Sequence, residues 1–166
     1  MEKITPDTPI ESKKIRTVLA HWRSLKLGTR APMWSDFDVL DVFTIMPNVM
    51  MVDLETNPFR VKFNFVGTQV VRLTGYEFTG KYLDEIMLDD HSAPFVDCYK
   101  MAANEETPVL EWCDWILAGG ITVSYDFAIF PFISASGEAD KAISIECYDR
   151  LEKDYSAVER TLGRSP

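Results

Sequence analysis

The chain has 166 residues, of which 46% are hydrophobic and 26% are charged, values typical of one globular domain. This composition excludes a mainly disordered chain and the fibrous classes. With 26 acidic residues against 17 basic ones, the formal net charge is −9. Because nucleic-acid backbones and anionic lipids are bound largely through Lys and Arg, neither is expected as a partner.

Cysteine content and hydropathy indicate the cellular compartment. The three cysteines, Cys98, Cys113 and Cys147, are too few and too far apart for a zinc site or a disulfide framework. Scattered thiols of this kind are typical of a reducing cytosol. The N-terminal segment 1–14 is polar, and the longest apolar run, 127–133, is too short to cross a bilayer. We therefore expect a cytoplasmic protein with no metal site and no membrane span.

One clear helical pattern stands near the N-terminus. Residues 1–11 contain a Pro/Thr/Asp stretch and are predicted to be a flexible arm. A helix is predicted over 12–27, with Ser12 as its N-cap. Its apolar residues recur at helical spacing and form one stripe: Ile15, Val18, Leu19 and Trp22. We expect this stripe to form a homodimer interface, and packing against the sheet of its own chain is an alternative of nearly equal weight.

The remaining patterns predict an α+β fold. Strands are predicted at 49–55, 60–66, 109–118, 121–132 and 141–151. Short helices are predicted at 68–74, 82–88 and 92–105. The order favours a five-stranded antiparallel sheet with short helices on one face, preceded by the amphipathic helix. Residues 12–151 form a single domain in this prediction, and 152–166 form a charged C-terminal tail.

Three short motifs and one further glycine carry a resemblance to a known family. They are His-Trp-Arg-Ser at 21–24, Phe-Val-Gly-Thr at 65–68, Leu-Thr-Gly-Tyr at 73–76 and a further glycine at position 80. In this order the chain resembles PAS domains, and more closely a bacterial family of short PAS-like proteins. The resemblance implies a PAS-like fold and a sensory or protein-interaction module. It implies no catalytic residues.

The resemblance also implies a cavity between the central strands and the short helices. Strand alternation and the position of polar residues near the cavity rim give the predicted ligand-binding residues: Phe63, Phe65, Arg72, Tyr82, His91, Tyr99, Tyr125, Phe127 and Ile145. A mostly apolar lining with a few polar groups suits a small hydrophobic or amphipathic ligand. For the aromatic residues, a core filled by side chains is the stronger interpretation.

No cofactor is predicted from the residues. The resemblance to PAS domains, some of which hold haem through a histidine on this helix, implies haem bound by His91 as an alternative. It is not favoured, because His91 stands at the helix start in a loop-like setting. A photoactive flavin is disfavoured, since the chain lacks the Asn-Cys-Arg-Phe-Leu type of motif that carries the reactive cysteine. Cys98 is instead expected in the core.

Three functional hypotheses remain. The leading one is a stand-alone PAS-like sensory domain that binds a small ligand and signals through self-association or an unknown protein partner. The second is a ligand-free protein-interaction adaptor. The third and weakest is a small enzyme acting on an apolar substrate, with Tyr82 or His91 as acid or base.

Overall fold

An antiparallel sheet forms the centre of the molecule. The computed structural model describes residues 1–5, 7–26, 28, 30–87, 92–116 and 122–148. Its strands are β1 (Glu2–Lys3), β2 (Val49–Thr56), β3 (Phe59–Val66), β4 (Val109–Ile116), β5 (Thr122–Phe132) and β6 (Lys141–Cys147), in the spatial order β1-β4-β5-β6-β2-β3. The helices are α1 (Lys13–Leu25), α2 (Thr68–Thr74), α3 (Leu83–Ile86) and α4 (Ala93–Glu105). Two 3₁₀-helical segments, Trp34–Asp36 and Val39–Asn48, connect α1 to β2.

The five long strands and the series of short helices confirm the predicted α+β fold. The sheet has one more strand, β1, which the prediction omits because a strand of 2 residues has no periodic pattern. Glu2–Lys3 pairs with β4, and Ile4 is buried. These residues therefore lie along the sheet edge, in contrast to the flexible arm expected at 1–11.

Helix α1 packs against one face of the sheet in its own chain. The Ser12 hydroxyl caps the helix by accepting a hydrogen bond from the Ile15 backbone N–H at 3.4 Å. The whole predicted stripe is buried: Ile15, Val18, Leu19 and Trp22. Trp22 also donates from Nε1 to the carbonyl oxygen of Pro131 at 2.7 Å. The residues expected at a dimer interface thus lie in the intramolecular core, as in the alternative, because α1 covers its own sheet.

Both faces of the sheet are buried in the second half of β5, whereas the alternation along this strand predicts one buried and one wetter face; Ser124 and Asp126 on the wetter face are half-buried. Ala128 and Phe130, on the face expected to be wetter, are completely buried. Helix α1 and the 3₁₀ connector cover this face, and the rings of Trp34 and Phe37 pack 5.4 and 5.5 Å from that of Phe132. Helices α2, α3 and α4 cover the opposite face. The sheet is therefore the middle of three layers, with a separate core on each side.

Gly67 lies where two segments of backbone meet. Its N–H donates to the Val49 carbonyl oxygen at 2.8 Å, and a Cβ atom here would lie 2.5 Å from the Met46 carbonyl oxygen. Such a contact is shorter than real Cβ atoms tolerate, so the junction between β3 and α2 requires glycine. This close approach explains why the Phe-Val-Gly-Thr motif has glycine at position 67.

Gly67→Ala is expected to lower the free energy of unfolding by about 2–3 kcal/mol, because the opposing carbonyl groups cannot move without displacing the start of β2. Gly137→Ala is the control. Its φ is 85° and nothing lies within 4 Å of its Cβ position, so only backbone strain of about 1–2 kcal/mol is expected. Urea unfolding followed by circular dichroism measures both. Equal losses in the two variants would contradict tight packing at Gly67.

Candidate ligand-binding cavity

A cavity of about 270 Å³ lies between the sheet and helices α2, α3 and α4. Its lining residues are Met50, Phe63, Leu73, Thr74, Tyr76, Phe78, Leu83, Ile86, Met87, Phe95, Tyr99, Tyr125, Phe127, Glu146 and Tyr148. The ring centroids of Phe63 and Phe78 lie 4.8 Å apart, and those of Phe95 and Phe127 lie 5.6 Å apart. Both pairs pack edge to face, and each joins a strand to a helix or loop of the cover. The wall is therefore largely apolar and aromatic.

The buried end of the cavity is polar. Glu146 on β6 is only 8% exposed, and Tyr148 donates a hydrogen bond from Oη to Glu146 Oε2. The ring of Tyr148 lies 5.1 Å from that of Tyr125 on β5. The hydroxyl of Tyr99, on α4, shares a 2.8 Å hydrogen bond with that of Ser144. One carboxyl group and three phenols thus meet in an otherwise apolar space.

Burial controls the protonation of these groups. Loss of water around the Glu146 carboxyl raises its pKa from 4.5 to about 8, so this group is largely protonated at neutral pH. Burial also raises the pKa of Tyr99 and of Tyr125, and the charge of an ionised Glu146 would raise both further. Tyr99 and Tyr125 therefore remain neutral, and Glu146 is a group that can change its charge near neutral pH.

The cavity reaches the surface beside Tyr76. This residue lines the cavity, yet 45% of it is exposed. The Lys81 ammonium donates to the Tyr76 hydroxyl, and its nitrogen lies 4.7 Å from the centroid of the ring. The mouth thus carries a cation, while the carboxyl group of Glu146 lies at the buried end.

Comparison with known proteins identifies the family. The sequence profile of the PAS domain matches residues 10–145, most of the chain. This chain belongs to the PAS-domain family. Membership implies a sensory signalling module and is consistent with the sheet and helical cover described above. A comparison with curated proteins finds no match.

Three solved structures similar to this PAS domain are of light receptors. The light state of the blue-light photoreceptor Aureochrome1 LOV has 14% identity and a TM-score of 0.46, over 63% of this chain and 83% of that one. An RNA-binding Light-Oxygen-Voltage receptor has 15% identity and a TM-score of 0.47, over 98% of this chain and 44% of that one. A fungal LOV domain photoreceptor has 14% identity and a TM-score of 0.45, over 69% of this chain and 94% of that one.

Several predicted ligand-binding residues line the PAS cavity: Phe63, Tyr99, Tyr125 and Phe127. Phe63 is directed there by the alternation of β3, and Tyr125 and Phe127 by that of β5, whose cavity face is apolar. Tyr99 comes from the buried face of α4, one helical turn after Phe95. Regular periodicity was sufficient to place Phe63, Tyr125 and Phe127, whereas Tyr99, which was expected at the rim, lies at the buried end.

Phe65 and Ile145 are not among the lining residues. The β2–β3 register shifts between Met51 and Val52, so that Phe65 pairs with Met51, which packs in the core under α1. Ile145 also lies in that core and is completely buried. The physical reason is that β6 is buried on both faces: Ile143, Ile145 and Cys147 face α1, while Glu146 faces the cavity.

The polar residues predicted at the rim lie elsewhere. Arg72 is exposed on α2, on the opposite side from the buried Val70. Tyr82 packs its ring 3.6 Å from the Arg60 guanidinium and donates to Glu55 Oε1 at 2.6 Å. These contacts hold Tyr82 outside the cavity, beside the edge strand β3. His91 lies outside the described residues.

The sequence patterns did not indicate the residues that make the cavity polar and open: Glu146, Tyr148, Tyr76 and Thr74. A signal for Glu146 exists in the sequence, since it is one carboxylate within the apolar pattern Ile-Ser-Ile-Glu-Cys-Tyr of a predicted strand. In a strand buried on both faces, such a residue faces either a partner or a cavity. Burial of β6 on both faces, however, depends on the position of α1. The strand pattern does not show that position.

The cysteines at 98, 113 and 147 are buried, and burial raises the pKa of Cys98 to about 11 and that of Cys113 to about 12. Neither of these two thiols is therefore an ionised nucleophile near neutral pH. Within the described ranges, no three His, Cys, Asp or Glu side chains come together as metal ligands. The helices found in this part of the chain are too short or too polar to cross a membrane.

Proposed function

We propose that this PAS domain is a sensor whose input is a small, mostly apolar molecule bound in the cavity between the sheet and helices α2, α3 and α4. The observation that supports it is the cavity itself, about 270 Å³ of space with a largely apolar wall and a buried polar end. This is the usual composition of a ligand pocket, where apolar area supplies affinity and a few polar groups fix orientation. A ligand of this kind acts as a signal only if it binds two states of the protein with different affinity.

The first experiment is native mass spectrometry of the freshly purified protein, followed by a denatured run and an absorption spectrum. We expect an excess mass that disappears on denaturation. The same native spectrum reports the oligomeric state. A protein with no excess mass, which also fails to bind the neutral probe 2-phenylethanol in calorimetry, would contradict the proposal.

A pair of variants tests whether binding takes place in this cavity. Leu73→Trp adds bulk to the wall, whereas Arg72→Trp places the same side chain on the exposed face of the same helix. We expect Leu73→Trp to weaken the binding of 2-phenylethanol by at least about tenfold, which corresponds to about 1.4 kcal/mol. Arg72→Trp should bind like the wild type. Equal affinity in the two variants would place the binding site elsewhere.

A large flavin is not part of the proposal. The cavity lies just below the range of about 300–1,000 Å³ usual for pockets of drug-sized ligands. Its described lining contains no cysteine that could form a bond to a flavin. Haem is likewise not proposed, since the histidine considered for it, His91, lies outside the described residues.

We further propose that the output passes through association, with a second copy or with another protein, in the cytoplasm. The buried residues Cys98 and Cys113, which form no disulfide, support a reducing compartment. The stripe of α1 is unavailable while this helix stays on its sheet. Other apolar side chains remain exposed, among them Leu40 at 71% and Phe43 at 68%.

A further inference from the structure

The buried end of the cavity determines which charge a ligand can place there. Glu146 contributes a carboxyl group that receives one hydrogen bond within the described part of the chain, from Tyr148. The described lining contains no Lys, Arg or His side chain. Among the described lining residues, a ligand anion at this end would meet a carboxyl group and no compensating cation, which is unfavourable in an apolar space. A ligand cation would pair with the ionised form of this carboxyl group.

Aromatic rings surround the same carboxyl group. Tyr125 and Tyr148 pack together beside it, and Tyr99 and Phe127 continue the wall, with their ring centroids 6.0 Å apart. The negative faces of aromatic rings attract ammonium groups, and the attraction is stronger where water is excluded. The buried end therefore combines two features that favour an ammonium group, a carboxyl group that can ionise and several aromatic rings.

We propose that the cavity binds a small apolar monoamine, whose ammonium group pairs with Glu146 and whose hydrocarbon part fills the apolar remainder. This inference rests on the proposed function and adds the chemical class of the ligand. A volume of about 270 Å³ holds about nine non-hydrogen atoms if each takes the ~30 Å³ of a water molecule. An arylalkylamine with a single ring has this size.

Proton release accompanies binding in this scheme. The O–H bond of the protonated Glu146 carboxyl breaks, its proton passes to solvent, and the carboxylate pairs with the ammonium group. Because the pKa of Glu146 is raised to about 8, amine affinity is expected to rise with pH below that value. The titratable groups that interact with it are Tyr99 on α4, Cys113 on β4, Tyr125 on β5 and Tyr148 after β6.

A competing binding mode would place the charged group of the ligand at the mouth of the cavity. Lys81 lies there beside Tyr76, and an acidic ligand could leave its carboxylate at the surface next to this cation. The two arrangements differ in the charge they select. A matched set of ligands with one hydrocarbon skeleton therefore separates them.

The test compares 2-phenylethylamine, 2-phenylethanol and phenylacetate by isothermal titration calorimetry with the full chain at pH 7.5. We expect the amine to bind at least about tenfold more tightly than the alcohol, and the acid to bind least. Amine affinity should rise by close to tenfold per pH unit between pH 6 and 7.5. Alcohol affinity should not change with pH.

Two substitutions test whether Glu146 and Tyr148 cause the preference for the amine. Glu146→Gln keeps the size of the side chain and removes its ionisation, so the amine should lose both its advantage over the alcohol and its pH dependence. Tyr148→Phe removes the hydrogen bond to Glu146 and should weaken the amine more than the alcohol. Lys81→Met, at the mouth, is the control and should leave the order of the ligands unchanged. Circular dichroism confirms that each variant is folded.

The outcomes separate this inference from the proposed function. If the alcohol or the acid binds as tightly as the amine, or if Glu146→Gln keeps the amine preference, the amine assignment is wrong while the sensory cavity stands. An acid preference lost in Lys81→Met would establish the arrangement at the mouth instead. If none of the ligands binds and no excess mass is found, the proposed function fails as well.

Discussion

Trp22→Ala is expected to lower the free energy of unfolding by about 3–5 kcal/mol, the usual range for removal of a large aromatic side chain from a core. Trp22 is 2% exposed and lies between α1 and β5. Its loss leaves a cavity and removes the 2.7 Å hydrogen bond from Nε1 to the Pro131 carbonyl oxygen. Urea unfolding monitored by circular dichroism measures the change.

The matched control is Trp112→Ala, because Trp112 is the same residue type and is 44% exposed on β4. It should lower stability by no more than about 1 kcal/mol. The competing hypothesis, a homodimer held by the α1 stripe, makes a different prediction for Trp22. It requires Trp22→Ala to change the mass in solution with little change in the stability of the monomer. Sedimentation equilibrium on the wild type and both variants decides between them.

Helix α1 shows how much the sequence can predict by itself. The cap at Ser12 and the stripe spacing gave the position of the helix and its buried residues correctly. The same pattern is compatible with any apolar partner, either a second copy or the sheet of its own chain. What decides is the second face of β5, where Ala128 and Phe130 need cover. Burial of this second face depends on tertiary structure, since alternation along a strand does not show whether the opposite face is exposed to water.

Strand β6 shows the same limit at the candidate site. Strand alternation was expected to direct its residue Ile145 toward the cavity. Ile145 instead packs under α1. In a strand buried on both faces, either set of residues can face the cavity, and here Glu146 and the following Tyr148 do so. A central strand with a lone carboxylate is therefore a better predictor of a polar pocket than its apolar positions are.

Phe65 shows a local cause of error. Periodicity of two residues holds only while the register is regular, and one register shift moves every later side chain of β3 to the other face. Gly67 follows soon after, at a contact with the connector before β2. The Phe-Val-Gly-Thr segment was recognised as a motif, yet its geometry, a shifted register followed by a close backbone approach, is visible only in the folded chain.

Stability is expected to fall as pH rises from 5 to 8.5 in the wild type relative to Glu146→Gln. Glu146 holds its proton more tightly in the folded chain, where its pKa is about 8, than in the unfolded chain, where it is near 4.5. Between these values the folded state binds more protons, so raising the pH favours unfolding. The relative loss is at most about 5 kcal/mol and levels off above the folded-state pKa.

Two other carboxyl groups keep their charge across this pH range and do not contribute to the change in stability. Asp84 and Glu106 have their pKa lowered by hydrogen bonds to Arg60 and Arg30, so both remain ionised from pH 5 upward. Histidines are common to both proteins and cancel in the difference. Chemical unfolding at intervals of half a pH unit gives the two curves. Parallel curves would mean that the Glu146 carboxyl reaches water or a compensating charge in the folded protein. In the expected case, where the curves diverge, addition of 2-phenylethylamine should restore wild-type stability most near pH 8.5, because the amine pairs with the ionised form of Glu146.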